Sequence, residues 1–317
     1  MSGTPTPTIR PAEPGDIRPA FAVFRRSLIP YLHRLGIVDS PDTTDAEIDA
    51  AWTPRAEWIE HLWRTAAENW VAVDADAENA DGGTPSRVVG WALSVQRGSV
   101  LELAMFFVDP ANQSKGTGKA LLERAFPLGR GPHRSIIATQ DPRAMSRYFR
   151  AGVRFLTSVV DFVAKPRPAT PDTDLVFERL DPSSPASVDL IAGVEAELLG
   201  HRREVDTAFL LGQRPAWIAR RNGVSAGFAF GWRDELTGPI GALDPRDIPA
   251  LLDLVENDAA ERGAPTLYFS TPLDNHTAVE HLLARGYTID PFVASLLADS
   301  DWLKTDRWIH TGISYIV

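Results

Sequence analysis

Gln113-Ser114-Lys115-Gly116-Thr117-Gly118 stands between the apolar run Val100–Pro110 and the periodic segment Lys119-Ala120-Leu121-Leu122-Glu123-Arg124-Ala125-Phe126. Strand, glycine loop and helix in that order aim several backbone N–H groups at one point. These first-turn donors have no intrahelical partner, and the helix dipole favours negative charge beside them. Gly116 and Gly118 let the backbone turn and approach an anion with no Cβ in the way. Lys115 and Lys119 add positive charge. The stretch is read as an anion site, with pyrophosphate as the anion, in preference to a plain strand–helix connection.

The loop is neither the dinucleotide pattern Gly-x-Gly-x-x-Gly nor a Walker loop ending Gly-Lys-Ser/Thr. Val108-Asp109-Pro110, then Gln-x-x-Gly-x-Gly, then Ala-Leu-Leu resembles motif A of the GNAT superfamily of acyl-CoA N-acyltransferases. The resemblance extends over roughly residues 8–165, the size of a domain. It implies an α/β fold on a mixed sheet and acetyl-CoA as co-substrate. It also implies that Gln113, Ser114, Lys115, Gly116, Thr117, Gly118 and Lys119 hold the pyrophosphate of coenzyme A.

The chain has 317 residues, more than one ordinary domain, and 44% of them are apolar. It contains no cysteine, which excludes disulfides, thiolate metal sites and a cysteine nucleophile. The net charge of −10 argues against a nucleic-acid partner, which would select a basic stripe. It is compatible with cationic amines, although an acidic surface also simply confers solubility. No apolar run reaches membrane-spanning length, and Met1–Thr8 lacks a basic region followed by an apolar one. A cytoplasmic protein, working where acyl-CoA is found, is expected.

Three prolines in Lys165–Asp174 mark a linker, so domains are expected at 1–168 and 169–317. In the first half, Ile17–Leu28 and Asp45–Ala66 read as helices, with strands at Trp70–Val73 and Arg87–Val95 around the loop tip Asn79–Ser86. His133–Thr139 reads as a strand, Pro142–Ala151 as a helix and Phe155–Ala164 as a strand. The second half repeats the order. Ser187–Leu211 reads as helical, followed by strands at Ala216–Arg220 and Ala226–Trp232 and a helix at Pro249–Arg262. A strand at Thr266–Ser270, a helix at Asn275–Arg285 and a strand at Pro291–Leu297 complete it. Asp141, Ala144 and Gly152 recur at identical intervals as Asn275, Ala278 and Gly286, and Asp109-Pro110 recurs as Asp244-Pro245. These matches indicate a tandem duplication. The second copy lacks five residues after its Pro, every loop glycine among them, and Thr237–Leu243 is interrupted by Gly238, Pro239 and Gly241. It is expected to be degenerate and without a CoA site.

Glu102 is a carboxylate in an otherwise apolar strand, costly there unless it has a partner or a task. Strand alternation puts it on one face with Ala104, Phe106 and Val108. It is read as the base that takes a proton from the acceptor amine, the alternative being a structural pairing with an Arg. Tyr148 lies four residues before Gly152, where many GNAT enzymes carry the acid that protonates departing CoA. A phenol of pKa about 10 can serve a thiolate of about 8.5 while remaining neutral itself. By resemblance, a backbone N–H near Phe107 or Val108 holds the thioester carbonyl. The second copy has Leu282 where Tyr148 stands, and Asp141 departs from the Asn common in the family motif.

Tyr31, His33 and Trp52 fall in the region that overhangs the acceptor site in GNAT folds. The histidines show no metal-ligand pattern, so no metal is expected. The leading expectation is N-acetylation of a primary amine on a small molecule or peptide, by direct attack in the first copy. The second copy would support the fold, shape the acceptor cleft or make a homodimer. The alternative is a non-catalytic acyl-CoA sensor or structural protein.

Overall fold

The computed structural model describes residues 7–74, 87–113, 116–233 and 237–311. Ser114, Lys115, the Asn79–Ser86 loop and Tyr315 of the tail lie outside the described residues. The chain divides into two compact units. One comprises Met1–Gln96, Leu101–Ile136 and Arg143–Gly152, the other Arg97–Val100, Ile137–Pro142 and Val153–Val317.

The first unit holds strands β1 (Thr8–Pro11), β2 (Ala66–Val73), β3 (Val88–Arg97) and β4 (Val100–Val108), and most of β5 (His133–Thr139). Their order is β1-β2-β3-β4-β5, with β1·β2 and β2·β3 antiparallel. The central strands are largely buried on both faces, which is why β3 from Val88 to Leu93, and β4 apart from Glu102, read as apolar runs. Helices α1 (Ile17–Arg34), α2 (Asp45–Trp52), α3 (Ala56–Thr65), α4 (Thr117–Ala125) and α5 (Pro142–Arg150) accompany the sheet. The single helix expected over Asp45–Ala66 is in fact two, because Pro54 falls in the 3-10 turn Thr53–Arg55 between α2 and α3. Phe21 and Trp91, both fully buried, anchor the core on the helical and the sheet side.

The second unit contains β6 (Arg154–Ala164), β7 (Val176–Arg179), α6 (Pro185–Leu199), α7 (Glu204–Gln213), β8 (Ala216–Arg221) and β9 (Val224–Phe230). It continues with β10 (Ile240–Ala242), α8 (Ile248–Glu261), β11 (Leu267–Pro272), α9 (His276–Ala284), β12 (Thr288–Ala298) and β13 (Trp308–Ile309). The helix expected over Ser187–Leu211 also divides: Gly200, at φ +75°, caps α6 in a left-handed conformation that ends it. The strand expected over Thr237–Leu243 shrinks to the three residues of β10, as its glycines and proline foretold.

Two features of the second unit carry consequences. β6 pairs antiparallel with both β11 and β12, so both its neighbours come from the second half of the chain. The C-terminal strand β13 pairs with β10, and His310 donates its N–H to the carbonyl of Ser270 on β11. Trp308, Ile309 and His310 are fully buried there, and burial pushes the His310 imidazole down to about 3. The linker is tied down as well. The Arg167 N–H donates to Glu256 at 2.9 Å, and that of Ala169 to Asn257 at 2.7 Å.

The internal repeat is visible in local geometry. Asp109 and Asp244 each cap a 3-10 turn by accepting from the N–H two residues on, at Ala111 and Arg246. Gly152 and Gly286 follow α5 and α9 at φ +93° and +82°, where a Cβ would be strained. Both copies use the same turn chemistry at the same places.

Candidate active site

β4, the turn after it and α4 build the centre of the site. The Asp109 carboxylate accepts from Arg26 Nε at 3.2 Å, from an Arg87 guanidinium N–H at 3.0 Å and from the Ala111 N–H at 3.1 Å. The Val108 carbonyl accepts from Ser27 Oγ and Gln113 Nε2, each at 3.0 Å. Gln113 thus uses its side-chain amide to hold the loop against the end of the strand. Gly116, at φ +88°, is the N-cap of α4, and Thr117 begins the helix. Thr117 is buried, yet its hydroxyl has no hydrogen-bond partner among the described residues. A buried hydroxyl without a partner costs on the order of 1–3 kcal/mol. Placed at the head of α4, whose first-turn N–H groups have no intrahelical partner, it fits a phosphate oxygen.

The cationic wall comes from α5. A cleft of about 750 Å³ opens between α4 and α5, lined on one side by Gly116, Lys119, Leu122 and Phe126. On the other side stand Arg143, Arg147 and Arg150. Gly118 permits this approach, since a Cβ there would stand 3.1 Å from the Arg147 guanidinium. Lys119 forms only an exposed pair with Glu123 at 3.7 Å, worth little in water. The three arginines escaped the sequence reading. Their spacing of four and then three residues, which puts them on one helix face, was the available signal.

The two catalytic candidates share a face of β4. Tyr148 is buried on α5 and meets Phe106 edge-on at 6.1 Å. Glu102 is fully buried on the same strand face, four residues before Phe106 and therefore about 13 Å along the strand. Backbone orientation separates the two oxyanion candidates. The Asp109 N–H donates to the Val89 carbonyl of β3 at 2.9 Å, so by strand alternation Phe107 faces the same neighbour. Val108, lying between them, turns its peptide edge away from β3. The Phe107 ring packs on Phe24 of α1 at 4.8 Å.

The three acceptor candidates lie on α1 and α2, and each makes a local contact. Arg34 lies over the Tyr31 ring at 5.5 Å. His33 Nδ1 is 3.1 Å from the Val38 carbonyl. Trp52 meets Phe21 edge-on at 5.1 Å and lies under Arg18 at 4.7 Å. Phe24, Arg26 and Ser27 of α1 reach the end of β4 and the residue after it.

Residues 38–152 match the acetyltransferase (GNAT) family. This segment is a GNAT acetyltransferase domain. No curated protein matches the chain. A solved Pyrococcus horikoshii protein described as an acetyltransferase has a TM-score of 0.65 at 17% identity, with 95% of this chain and 92% of that one covered. A GCN5-related N-acetyltransferase of Sphaerobacter thermophilus follows at 0.57 and 16%, covering 92% and 94%. A tandem GNAT protein from the clavulanic acid biosynthesis pathway gives 0.52 and 15%, covering 92% and 97%. At such identities the likeness is one of fold, and the fold is that of GNAT proteins, a tandem one included.

Within the GNAT domain β4 and β5 are direct neighbours joined through α4. The second copy differs at each corresponding place. Its 3-10 turn Pro245–Asp247 runs straight into α8, with no residues left for an anion loop. Leu282 is buried in α9 at the position of Tyr148. The segment Trp308–His310 bridges β10 and β11. Among the described residues no cluster of His, Asp and Glu is arranged to hold a metal ion. Nor is any described helix long and apolar enough to cross a membrane.

Proposed function

We propose that the chain is an acetyl-CoA-dependent N-acetyltransferase for a primary amine of a small molecule or peptide, with catalysis in the first copy (residues 1–168). The observation that carries this reading is the buried Thr117 hydroxyl at the head of α4, without a hydrogen-bond partner among the described residues and next to Gly116 and Gly118, which face the arginines of α5. Phosphates of the co-substrate complete that hydrogen bonding and neutralise that charge. Residues 169–317, the second copy, would hold no acyl-CoA of their own.

Acyl transfer then proceeds by direct attack. Binding both reactants on one domain supplies the orientation that replaces a bimolecular encounter. The neutral amine nitrogen bonds to the thioester carbonyl carbon, and the carbon–sulfur bond breaks. The proton lost by the amine passes to the Glu102 carboxylate through water, since Glu102 stands about 13 Å from Phe106 along the strand. The Val108 N–H, turned away from β3, is the donor for the carbonyl oxygen as it gains charge, a contribution of roughly 3 kcal/mol. Tyr148 gives its hydroxyl proton to the leaving sulfur from its place above Phe106.

Replacement Tyr148→Phe should lower kcat roughly 100-fold while leaving CoA affinity intact, because thiolate exists only as the bond breaks. Glu102→Gln should lower kcat/KM most at low pH, where more of the acceptor amine is protonated. Steady-state rates for both variants, with calorimetric CoA affinities alongside, check these roles. Wild-type rates in both would remove Glu102 and Tyr148 from the mechanism.

The function itself is tested by following CoA release from acetyl-CoA over a panel of amines. Turnover of any member supports it. Complete burial of Glu102 favours a second reading, a non-catalytic acyl-CoA sensor. Tight CoA binding with no turnover across the panel would decide for that one.

A further inference from the structure

Three residues of α1 meet three successive residues at the end of β4. The Phe24 ring packs on that of Phe107 at 4.8 Å. Ser27 Oγ donates to the Val108 carbonyl at 3.0 Å, and Arg26 Nε to the Asp109 carboxylate at 3.2 Å. Arg87 holds the same buried carboxylate at 3.0 Å. A serine inside a helix commonly turns its hydroxyl back to the carbonyl one turn before it. Ser27 gives its hydroxyl to a strand residue 81 positions away.

Successive side chains of a strand point to opposite faces, so Phe107 and Asp109 face α1 while Phe106 faces Tyr148 of α5. Helix α1 therefore backs β4 from the face opposite Tyr148. On a strand the N–H and C=O of one residue point to the same side. Gln113 Nε2 also donates to the Val108 carbonyl, at 3.0 Å, so side chains fill both of its lone pairs. The Val108 N–H lies on that same edge, turned away from β3.

The second copy treats the equivalent residue differently. Leu243 stands before Asp244-Pro245 as Val108 stands before Asp109-Pro110. Its N–H turns inward and donates to the Ala226 carbonyl of β9 at 2.8 Å. Its carbonyl accepts from Arg307, and Asp244 pairs with its own neighbour Arg246. The outward N–H and the helix behind it thus occur together, in the copy that has the anion loop.

We propose that Ser27 and Arg26 are positioning residues that aim the Val108 N–H at the thioester carbonyl. This rests on the acyltransfer reading, in which that N–H meets the oxygen as it gains charge. Phe107 is held before the N–H, the Val108 carbonyl after it and Asp109 beyond, which leaves the N–H one direction. Aim matters because a displacement of about 1 Å can cost roughly 100-fold in rate. Both side chains act from behind the strand, so their loss falls on the rate and not on CoA binding.

Full-length variants are tested by CoA release with an amine that the wild type accepts, and by calorimetry with CoA. Ser27→Ala should lower kcat roughly 10-fold. The KM for acetyl-CoA and the affinity for CoA should stay unchanged, since free CoA carries no acyl carbonyl. Ser27→Thr keeps the hydroxyl and should restore most of the rate. Arg26→Gln should act in the same direction, and the double variant should lose roughly 100-fold. Gln113 still holds the carbonyl in Ser27→Ala, so its melting temperature should stay within a few degrees of wild type. Wild-type kcat in Ser27→Ala, no recovery in Ser27→Thr, or a loss shared by CoA affinity overturns the proposal. A wild type that turns over no amine overturns the acyltransfer reading and this proposal with it. A working wild type with an indifferent Ser27→Ala overturns this proposal alone.

Discussion

Gly116→Glu is expected to abolish CoA binding, with affinity falling at least ~100-fold and calorimetric heats lost. The glycine sits at φ +88° as the N-cap of α4, so any side chain there is strained by about 1 kcal/mol or more. A Cβ built at this position meets nothing within 4 Å, so the folded protein has room for the substitution. The loss therefore arises at the ligand. A carboxylate would stand where the helix N–H groups and the Thr117 hydroxyl await phosphate, and two anions cannot share that place. The melting temperature should drop by only a few degrees, as expected for a loss near 1 kcal/mol. Wild-type shows one CoA per chain if the site lies in the first copy alone. Two CoA per chain, or unchanged affinity in the variant, would overturn the assignment.

A chain cut at Pro168 should be insoluble or inactive. β6 would lose both neighbours, since it pairs with β12 between Arg154 and Val163 and with β11 from Val159 to Ala164. Val160 and Phe162, now buried with Leu267, Phe269 and Leu282, would meet water. A two-sided apolar strand with unpaired edges is a template for aggregation. Sedimentation and activity of the 1–168 fragment give the readout. A soluble fragment with full activity would make the second copy an independent appendage.

Reading the glycine loop as a turn into a helix required only local rules. Gly116 at positive φ, Thr117 opening a helix and Asp109 capping the turn are each decided by residues within a few positions of one another. The duplication was legible for the same reason, because Asp109 and Asp244, or Gly152 and Gly286, serve one turn geometry each. Tyr148 was singled out by its spacing to Gly152 together with the family resemblance, and its ring meets Phe106 edge-on. Helix ends were less legible. Pro54 and Gly200 each divided an expected helix, although both residues stood in view.

Sequence by itself determined the glycine loop, the tandem repeat and the loss of that loop from the second copy, because turn and cap chemistry act between near neighbours. Only the tertiary structure decided which strands flank β6, that Trp308–His310 bridges β10 and β11, and that three arginines of α5 face the head of α4. The physical reason is that an apolar strand announces its burial and its period but not its neighbour. Backbone N–H and C=O groups on a strand edge are chemically alike in every sequence, and pairing is chosen by packing between residues far apart in the chain.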